Sequence, residues 1–394
     1  MGGLFAGLLL RRAGWSVNVY ERVGVELSAR GAGIVTHPEL RDVLATAVGA
    51  PPGDDLGVFI EERRTFDREG NVIAEASCPQ ITTSWNRLFA LLCGAFPDAN
   101  YHLGKKLAGV EEHGSRVTAR FSDGESVTGD LLIGADGVRS SVRNILAPEA
   151  QPLYAGYIAW RGMVGESVLP PEVHMELFAY FAFCLPPGEQ MLGYPVAGEG
   201  NNQTPGQRRY NFVWYRPADA ETALPRLLTD DTGKLHDMSI PPPLIAHSTI
   251  NEMRAAADRV LSPQFRALVA VTHEPFLQPI FDLDSKRIAF GRTALLGDAA
   301  FVVRPHVGAG VAKAALDAKA LAAAVAEEAD IPSALARYDQ ERVRAGRMMV
   351  EQGRRLGSYM RTHFETAEER ELAERHQTPD AVMAETALLD FMRV

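Results

Sequence analysis

The residues best suited to bind a ligand lie in one stretch, residues 291–318. An apolar run at residues 293–296 ends at a Gly-Asp pair whose acid is Asp298, and a loop rich in proline and glycine follows. An alanine-rich segment with high helix propensity comes next. Gly308 and Gly310 leave backbone N–H groups uncovered at this predicted helix N-terminus, where the helix dipole favours an anionic or electron-accepting group. Taken alone, the stretch fits a ligand-binding loop and an ordinary strand–loop–helix connection equally well.

Two further segments carry related patterns. Residues 131–143 read as an apolar strand that ends in glycine, then Asp136-Gly137, then a turn rich in serine and arginine that leads into a helix. Residues 2–22 read as a helix opened by glycines, a turn, and a strand that ends in Glu21. Three such motifs in this order are far more specific than a single glycine-rich turn.

Together the three motifs resemble those of the flavin-dependent aromatic hydroxylases, the single-component FAD monooxygenases of phenols and related rings. The resemblance covers nearly the whole chain. It implies that the first helix and the acid after the following strand hold ADP-ribose, that the Asp-Gly motif serves FAD and NAD(P)H, and that the Gly-Asp motif holds the ribityl phosphate and the flavin. The cofactor-binding residues that it predicts are Gly3, Glu21, Arg22, Arg30, Gly33, Asp136, Gly137, Asp298, Gly308, Ala309 and Gly310.

Several of these assignments have a purely structural alternative. Glu21 could be a surface acid paired with Arg22 or Arg11. Arg30 could be an exposed side chain in a glycine-rich loop, and Asp136 could cap the helix that follows it. The surrounding motifs favour the ribose contact for Glu21 and the cofactor contact for Asp136.

The start of the chain falls inside the first motif. By the family pattern, Gly3 would be the last glycine of the G-x-G-x-x-G fingerprint, which normally follows an apolar strand. We therefore expect the natural protein to begin before Met1, with that strand and the first glycines. A genuine deletion would weaken FAD binding.

Composition fits a globular protein and excludes several functions. The chain has 394 residues, enough for two domains, and its net charge of −10 argues against binding to nucleic acid or to an acidic membrane surface. Cys78, Cys93 and Cys184 lack paired spacing, so we expect no disulfide bond, no metal site and a cytoplasmic location. No apolar run of about 18 residues indicates a membrane helix. The three leucines at residues 8–10 precede the arginines instead of following them, unlike a signal peptide.

The predicted fold class is α/β, with a dinucleotide-binding, Rossmann-like FAD domain, a mixed-sheet substrate domain and C-terminal helices. Ser333 is expected to cap a long, highly charged helix near the C-terminus. The predicted boundaries are residues 1–150 and 286–330 for the discontinuous FAD domain, 151–285 for the substrate domain, and 331–394 for the C-terminal helical segment.

Aromatic residues dominate the strands predicted after residue 154. Side chains alternate along a strand, so Trp214 should lie on one face of the sheet and Asn211 on the other. The sequence does not decide which face covers a ligand, and packing in the core is the ordinary role of such aromatics. The substrate contacts that we predict are Tyr194, Asn211, Trp214 and Pro305.

His306 is the predicted catalytic residue. It follows Pro305 in the loop that the resemblance places beside the flavin, and an imidazole titrates near neutral pH, so it could deprotonate or orient a ring hydroxyl. A histidine that only hydrogen-bonds the loop is an equally good interpretation.

The reaction that the resemblance implies is hydroxylation of an electron-rich aromatic or heteroaromatic ring, such as a pyridine diol or a phenol. NAD(P)H reduces FAD, O2 adds at flavin C4a, and the hydroperoxide attacks the ring. Phe301 and Ala312 stand where most members have His and Asn, which weakens the likeness to phenol hydroxylases. The expected partners are a small aromatic substrate and O2, and a second copy of the chain in a homodimer is a further expectation.

Other classes share part of this pattern. A flavin-dependent dehydrogenase or reductase has overlapping FAD motifs, and a cofactor-impaired binding protein of the same family is a third interpretation. A flavin halogenase would carry a Trp-x-Trp-x-Ile-Pro motif, which the sequence lacks.

Overall fold

Helices flank mixed sheets in this α/β protein. The computed structural model describes residues 1–25, 33–49, 56–360 and 366–393. Over these ranges no helix is both long enough and apolar enough to cross a membrane. The helices are α1 (Gly2–Arg12), α2 (Pro38–Val48), α3 (Trp85–Ala95), α4 (Ser141–Leu146), α5 (Pro171–Leu177), α6 (Ala223–Leu227), α7 (His247–Val260), α8 (Pro263–Ala270), α9 (Gly310–Glu327), α10 (Ile331–Leu356), α11 (Ala367–His376) and α12 (Pro379–Glu385).

The strands of the described residues form one large sheet and three small ones. They are β1 (Val19–Tyr20), β2 (Gly33–Thr36), β3 (Val58–Phe66), β4 (Val72–Ser84), β5 (Tyr101–His102), β6 (Leu107–His113), β7 (Arg116–Phe121), β8 (Ser126–Gly129), β9 (Leu132–Gly134), β10 (Leu153–Gly165), β11 (Tyr180–Cys184), β12 (Gln190–Val196), β13 (Arg209–Pro217), β14 (Phe276–Asp284), β15 (Ala289–Phe290), β16 (Thr293–Leu295) and β17 (Phe301–Val302).

The large sheet has nine strands in the order β17-β14-β10-β13-β12-β11-β3-β4-β2. Strands β11 and β3 pair in parallel, and the other neighbours are antiparallel. The sheet crosses the predicted domain boundary, because β2, β3 and β4 come from residues 33–84 of the predicted FAD domain. Its two faces belong to different cores, one beneath α5, α7 and α8 and the other beneath α12.

A second layer carries the glycine motifs. Strand β16 pairs in parallel with β9, and Leu295 stands opposite Gly134 at their C-terminal ends. The Gly-Asp turn follows β16 and the Asp-Gly turn follows β9, so the register brings both turns to the same edge of this sheet. Helix α9 packs against both α1 and α10.

Helix α10 begins earlier than predicted. Its cap is Asp330, whose Oδ1 accepts a hydrogen bond from the Ser333 N–H at 2.8 Å, so the prediction of Ser333 as the cap is wrong. Pro332 explains the shift, because proline is favoured in the first turn of a helix, where its missing N–H costs nothing.

Candidate active site

The Gly-Asp turn after β16 is built around a backbone reversal. Gly297 adopts a left-handed conformation with φ of +64°, which suits glycine, and its N–H donates to Asp317 Oδ2 at 3.0 Å. This reversal presents Asp298 with half of its side chain open, while protein surrounds it on the remaining sides. The loss of solvent on those sides raises the pKa of Asp298 above its ordinary value, and Lys313 opposes that rise. Asp298 therefore lines a recess that is partly shielded from water.

A buried lysine lies directly behind this turn. Lys313 has no exposed surface, and its Nζ lies 3.9 Å from Asp298 Oδ1 and 3.7 Å from Asp317 Oδ2. Asp317 also accepts a hydrogen bond from Arg342 Nε at 2.8 Å. Positive and negative groups thus alternate beneath the turn, and each helps to offset the desolvation of its neighbour.

Two helix N-termini lie beside this recess. Neither α1 nor α9 has a side-chain cap or an acidic residue in its first turn. A Cβ added to Gly310 would meet no more distant part of the described chain within 4 Å, whereas one added to Gly2 would lie 2.7 Å from Leu296 Cδ2. The first helix is therefore packed tightly onto the β16 end, and the start of α9 is left open. Uncapped amides beside open space suit the anionic and electron-accepting parts of FAD.

The predicted ribose contact, Glu21, lies at this edge too. The amino group of Met1 is buried at the start of α1, which lowers its pKa, and the Glu21 and Asp298 carboxylates oppose that shift. Both acids therefore lie near the start of α1. Glu21 Oε1 also accepts a hydrogen bond from its own turn, the Val23 N–H at 3.0 Å.

The remaining residues of the first motif have ordinary positions. Gly3 packs against Ala135, with 3.6 Å between an added Cβ and the Ala135 Cβ. Arg22 is exposed. Arg30 lies outside the described residues.

The structure favours the capping interpretation of Asp136. Its carboxylate accepts hydrogen bonds from the Ser140 hydroxyl and from the N–H groups of Ser141 and Val142, at 2.6 Å and 3.2 Å for the two amides. These amides open α4, so the carboxylate is engaged in the fold, and we withdraw its side chain as a cofactor ligand. Gly137, with φ of +80°, supplies the turn itself.

Arg143 joins the two turns. This buried side chain donates to the Val138 carbonyl at 2.6 Å and to the Ala299 carbonyl at 3.2 Å. Its hydrogen bonds hold the Asp-Gly segment against the Gly-Asp segment.

The loop before α9 is fixed at both of its ends. Arg304 precedes it and donates to Asp282 Oδ2 at 2.8 Å, and both side chains are buried. Gly308 ends the loop with φ of +64°, and its carbonyl contacts His37 Nε2 at 3.2 Å. Pro305 is half-buried at the start of the turn, while Ala309 is buried next to Gly310. Residues 305–310 thus form a rigid wall beside the start of α9.

His306 does not reach the recess as a free base. It is 1% exposed, its Nδ1 contacts Gln190 Oε1 at 2.8 Å, and its Nε2 contacts the Tyr157 hydroxyl at 3.0 Å. Burial, followed by the nearby Arg304 charge, lowers the pKa of His306 to about 3. Both ring nitrogens are used inside the protein, so we correct the catalytic assignment: His306 holds the loop to the sheet, which was the alternative interpretation.

Three predicted residues meet at the start of β2. The Gly33 N–H donates to Asn211 Oδ1 at 3.0 Å, and a Cβ added to Gly33 would lie 2.6 Å from Tyr194 Cε2. Only glycine allows this close approach. The other amide atom, Asn211 Nδ2, is buried without a hydrogen-bond partner among the described residues. An unpaired buried N–H group is costly, so Asn211 Nδ2 is a donor that a ligand or a water could satisfy.

Trp214 lies on the opposite face of the sheet. It is fully buried with Phe212 in the core beneath α7 and α8, and its Nε1 donates to Glu189 Oε2 at 2.8 Å. The predicted alternation of faces is correct, but the helices cover the Trp214 face. Trp214 therefore belongs to the core, and we remove it from the substrate contacts.

Among the described residues, no group of three or more His, Cys, Asp or Glu side chains is placed to hold a metal ion. The side chains that sequence reasoning missed are those that fix the loop: His37, Asp282, Gln190 and Tyr157. Each is distant from residue 306 in the chain, so no local pattern could have linked them to it.

The chain is similar to known FAD-dependent proteins. A family model described as FAD binding domain-like matches residues 154–282, which span β10 to most of β14. The chain is 31% identical to 2,6-dihydroxypyridine 3-monooxygenase of Paenarthrobacter nicotinovorans, over 91% of this chain and 89% of that protein. It is 30% identical to aurachin C monooxygenase/isomerase of Stigmatella aurantiaca, over 91% and 86% of the two chains.

The similarity extends to solved structures. The structure of 2,6-dihydroxypyridine-3-hydroxylase from Arthrobacter nicotinovorans superposes with a TM-score of 0.85 at 30% identity, over 92% of each chain. A Klebsiella pneumoniae HpxO variant complexed with FAD has a TM-score of 0.76 at 25% identity, over 98% of this chain and 92% of that chain.

Proposed function

Because the chain belongs to the FAD-dependent aromatic hydroxylases, we propose that its own substrate is a hydroxylated pyridine or a similar electron-rich heteroaromatic ring. The chain is a flavoprotein monooxygenase that uses FAD as cofactor and NAD(P)H and O2 as co-substrates to hydroxylate an aromatic compound. FAD, when bound, supplies the activation of oxygen. What the chain contributes is binding, orientation and the exclusion of water.

Strand β2 is the observation that carries the proposal. It runs from Gly33, which contacts Asn211 on the sheet, towards His37, which contacts the Gly308 carbonyl. Four residues of extended strand span about 13 Å, roughly the length of a tricyclic ring system. One short strand thus links the unpaired amide of Asn211 to the wall at residues 305–310. We place the flavin along this wall and the substrate ring next to Tyr194 and Asn211.

The polar groups of this pocket are hydrogen-bond donors. Asn211 Nδ2 has hydrogens and no partner among the described residues, and burial raises the pKa of Tyr194 to about 12, so its hydroxyl stays protonated at neutral pH. Two donors stabilise a ring oxygen that carries negative charge. A ring with an anionic oxygen is rich in electrons at its neighbouring carbons, which is what an electrophilic oxygen requires. The donors therefore favour a hydroxypyridine or a phenol bound as its anion.

The cofactor contacts of the proposal follow the recess at the end of β16. Asp298 would accept hydrogen bonds from hydroxyl groups of FAD, and the amides of Ala309 and Gly310 would face its anionic or electron-accepting part. Glu21 would accept from the ribose, while Gly3 and Gly137 allow close approach of the backbone. The proposed domains remain residues 1–150 and 286–330 for FAD and 151–285 for the substrate, with β2 to β4 joined to the substrate sheet.

The test is turnover by the FAD-loaded protein. Hydroxypyridines and phenols are each added with NAD(P)H under ¹⁸O2. The rate of NAD(P)H oxidation, the yield of hydrogen peroxide and the incorporation of ¹⁸O into the product are measured. We expect a hydroxypyridine to accelerate NAD(P)H oxidation and to acquire one labelled oxygen atom. Acceleration by phenols alone would refute the ring class, and oxidation of the substrate without labelled oxygen would indicate a dehydrogenase.

Location and assembly are finer points of the proposal. NAD(P)H is a cytoplasmic reductant, and no disulfide joins cysteines in the described residues, so we place the protein in the cytoplasm. The apolar residues near the C-terminus, Leu389, Phe391 and Met392, pack on the chain's own core, so they do not support the proposed homodimer. Light scattering of the purified protein would decide between a monomer and a dimer.

A further inference from the structure

We propose that Arg63 is a positioning residue: it clamps the C-terminal segment, residues 379–389, against the wall at residues 305–310 and thereby closes one side of the active site to water. The inference rests on the proposed function, because it takes that wall to lie beside the flavin. Arg63 itself touches neither the recess nor the loop.

Arg63 is a fully buried cation held by backbone oxygens. Its Nη1 donates to the carbonyls of Met383 and Thr386 at 2.5 and 2.8 Å, and its Nη2 donates to Gln80 Oε1 at 2.6 Å. The guanidinium also lies over the Phe181 ring, 5.0 Å from its centre. Among the described residues no carboxylate pairs with it. The carbonyl oxygens at the end of α12, together with Gln80 Oε1 and the Cys78 side chain, therefore offset the desolvation of this charge, and the charge in turn holds α12 in place.

Gln80 supplies a second tie to the same segment. Its Oε1 accepts from Arg63, and its Nε2 donates to the Ala387 carbonyl at 3.0 Å. Arg63 and Gln80 thus bind three backbone carbonyls, those of Met383, Thr386 and Ala387. The fork geometry of a guanidinium suits this task, since one planar group reaches several acceptors at once.

Ala387 connects the C-terminal segment to the loop at residues 305–310. Its N–H donates to the His306 carbonyl at 2.8 Å, and a Cβ added to Gly308 would lie 2.7 Å from the Ala387 Cβ. Ala387 itself has φ of +57°, a conformation that is unfavourable for alanine and persists only where the surroundings impose it. The segment is therefore pressed onto the outer side of the wall.

Apolar side chains complete the seal. Val382 and Met383 are buried in the same core as Phe181, and Leu389 is buried in the core that contains α9. The segment bridges the two cores at the wall. Its release would open the back of the loop to water, which lets activated oxygen decay as hydrogen peroxide before it reaches the ring.

The experiment compares Arg63→Met with Arg64→Met in the full chain loaded with FAD. Arg64 is the next residue of β3, so it lies on the opposite face, where it pairs with Glu75 at 2.7 Å. Hydrogen exchange of residues 379–389, the dissociation constant of FAD, and the fraction of NAD(P)H oxidation that yields hydrogen peroxide are measured. For Arg63→Met we expect hydrogen exchange of residues 379–389 to become about tenfold faster, since several hydrogen bonds to a charged group are lost. The fraction of NAD(P)H oxidation that yields hydrogen peroxide should rise severalfold. Arg64→Met should change neither.

Two milder variants separate positioning from folding. Gln80→Leu removes the hydrogen bond to the Ala387 carbonyl and should give a smaller rise in both the exchange rate and the peroxide fraction. Arg63→Lys keeps the charge but not the planar guanidinium, so its exchange rate and peroxide fraction should lie between those of the wild type and Arg63→Met. Exchange that stays at the wild-type rate in Arg63→Met and Gln80→Leu would refute the clamp. Faster exchange with unchanged peroxide would refute the positioning role. If the wild-type protein hydroxylates no ring, the proposed function fails, while the exchange measurement still tests the clamp.

Discussion

The hydroxyl of Tyr157 and Nε2 of His306 lie 3.0 Å apart beneath the wall at residues 305–310. On the other side of the ring, Nδ1 contacts an oxygen of Gln190 that can only accept, so Nδ1 carries the hydrogen and Nε2 accepts from Tyr157. The imidazole is neutral and has no nitrogen left for a substrate. It fastens the loop to strands β10 and β12.

The first prediction concerns the pH dependence of stability. Burial holds the pKa of His306 at about 3, below its ordinary value of 6.5, so the unfolded chain binds this proton first as the pH falls. The contribution of His306 to the free energy of unfolding is fully present above pH 6.5. It falls by up to about 1.4 kcal/mol per pH unit as the pH is lowered from 6.5 towards 3. His306→Gln should lose that part of the slope in urea unfolding measured between pH 7.5 and 5.

A matched control is His113→Gln, because His113 has a largely exposed side chain. It should retain the wild-type slope. If His306→Gln instead removed a pKa near neutrality from the pH profile of kcat, with an unchanged stability slope, His306 would be acting on the substrate after all.

The second prediction concerns the face of the sheet that meets the substrate. Tyr194→Phe removes one donor and should raise KM for the ring about threefold to tenfold, the usual effect of losing a hydrogen bond, without weakening FAD binding. Trp214→Phe on the other face should leave KM unchanged and lower the free energy of unfolding by about 1–3 kcal/mol. Steady-state kinetics and urea unfolding check both variants, and the reverse pattern would mean that the Trp214 face binds the ring.

The third prediction uses the open space at the start of α9. A Cβ at Gly310 would meet no atom of another part of the described chain within 4 Å, so Gly310→Val should change the stability of the FAD-free protein by no more than about 0.5 kcal/mol. It should nonetheless weaken FAD binding at least about tenfold, because it fills the position where the cofactor would lie. Gly94→Val is the control, since Gly94 is exposed in the last turn of α3 and a Cβ there would also meet no more distant part of the described chain within 4 Å. Equal FAD affinity in both variants would move the cofactor elsewhere.

The fourth prediction contrasts a buried charge with an exposed one. Lys313→Met leaves Asp298 and Asp317 without their shared cation and should lower the free energy of unfolding by about 3–5 kcal/mol. Arg337→Met breaks a solvent-exposed pair with Glu327 and should cost about 1 kcal/mol or less. Urea unfolding of both FAD-free variants compares them, and equal losses would show that the charges beneath the turn are not coupled.

Local patterns predicted the glycine turns well. Gly297, Gly308 and Gly310 stand where the chain must reverse or stay open, and such requirements depend only on neighbouring residues. The cap of α10 was misplaced by three residues, because Asp330 and Ser333 both suit the role and the proline between them decides.

The roles of individual side chains in the site were harder to predict. The alternation of side chains along β13 predicted that Asn211 and Trp214 lie on opposite faces of the sheet. Only the packing of α7 and α8 on the Trp214 face determined which face is left for a ligand. His306 was read from its type as a base, whereas its partners lie 116 and 149 residues away in the chain. Burial by distant segments, and not the imidazole itself, set its pKa.

By itself, the sequence determined the α/β class, the positions of the three glycine turns and the family, because each can be recognised from short stretches of the chain. The tertiary structure decided which side chains are free to act and which are used up in hydrogen bonds. Arg63 illustrates the reason: it contacts carbonyls 320 and 323 residues later in the chain, a relationship that no local pattern encodes.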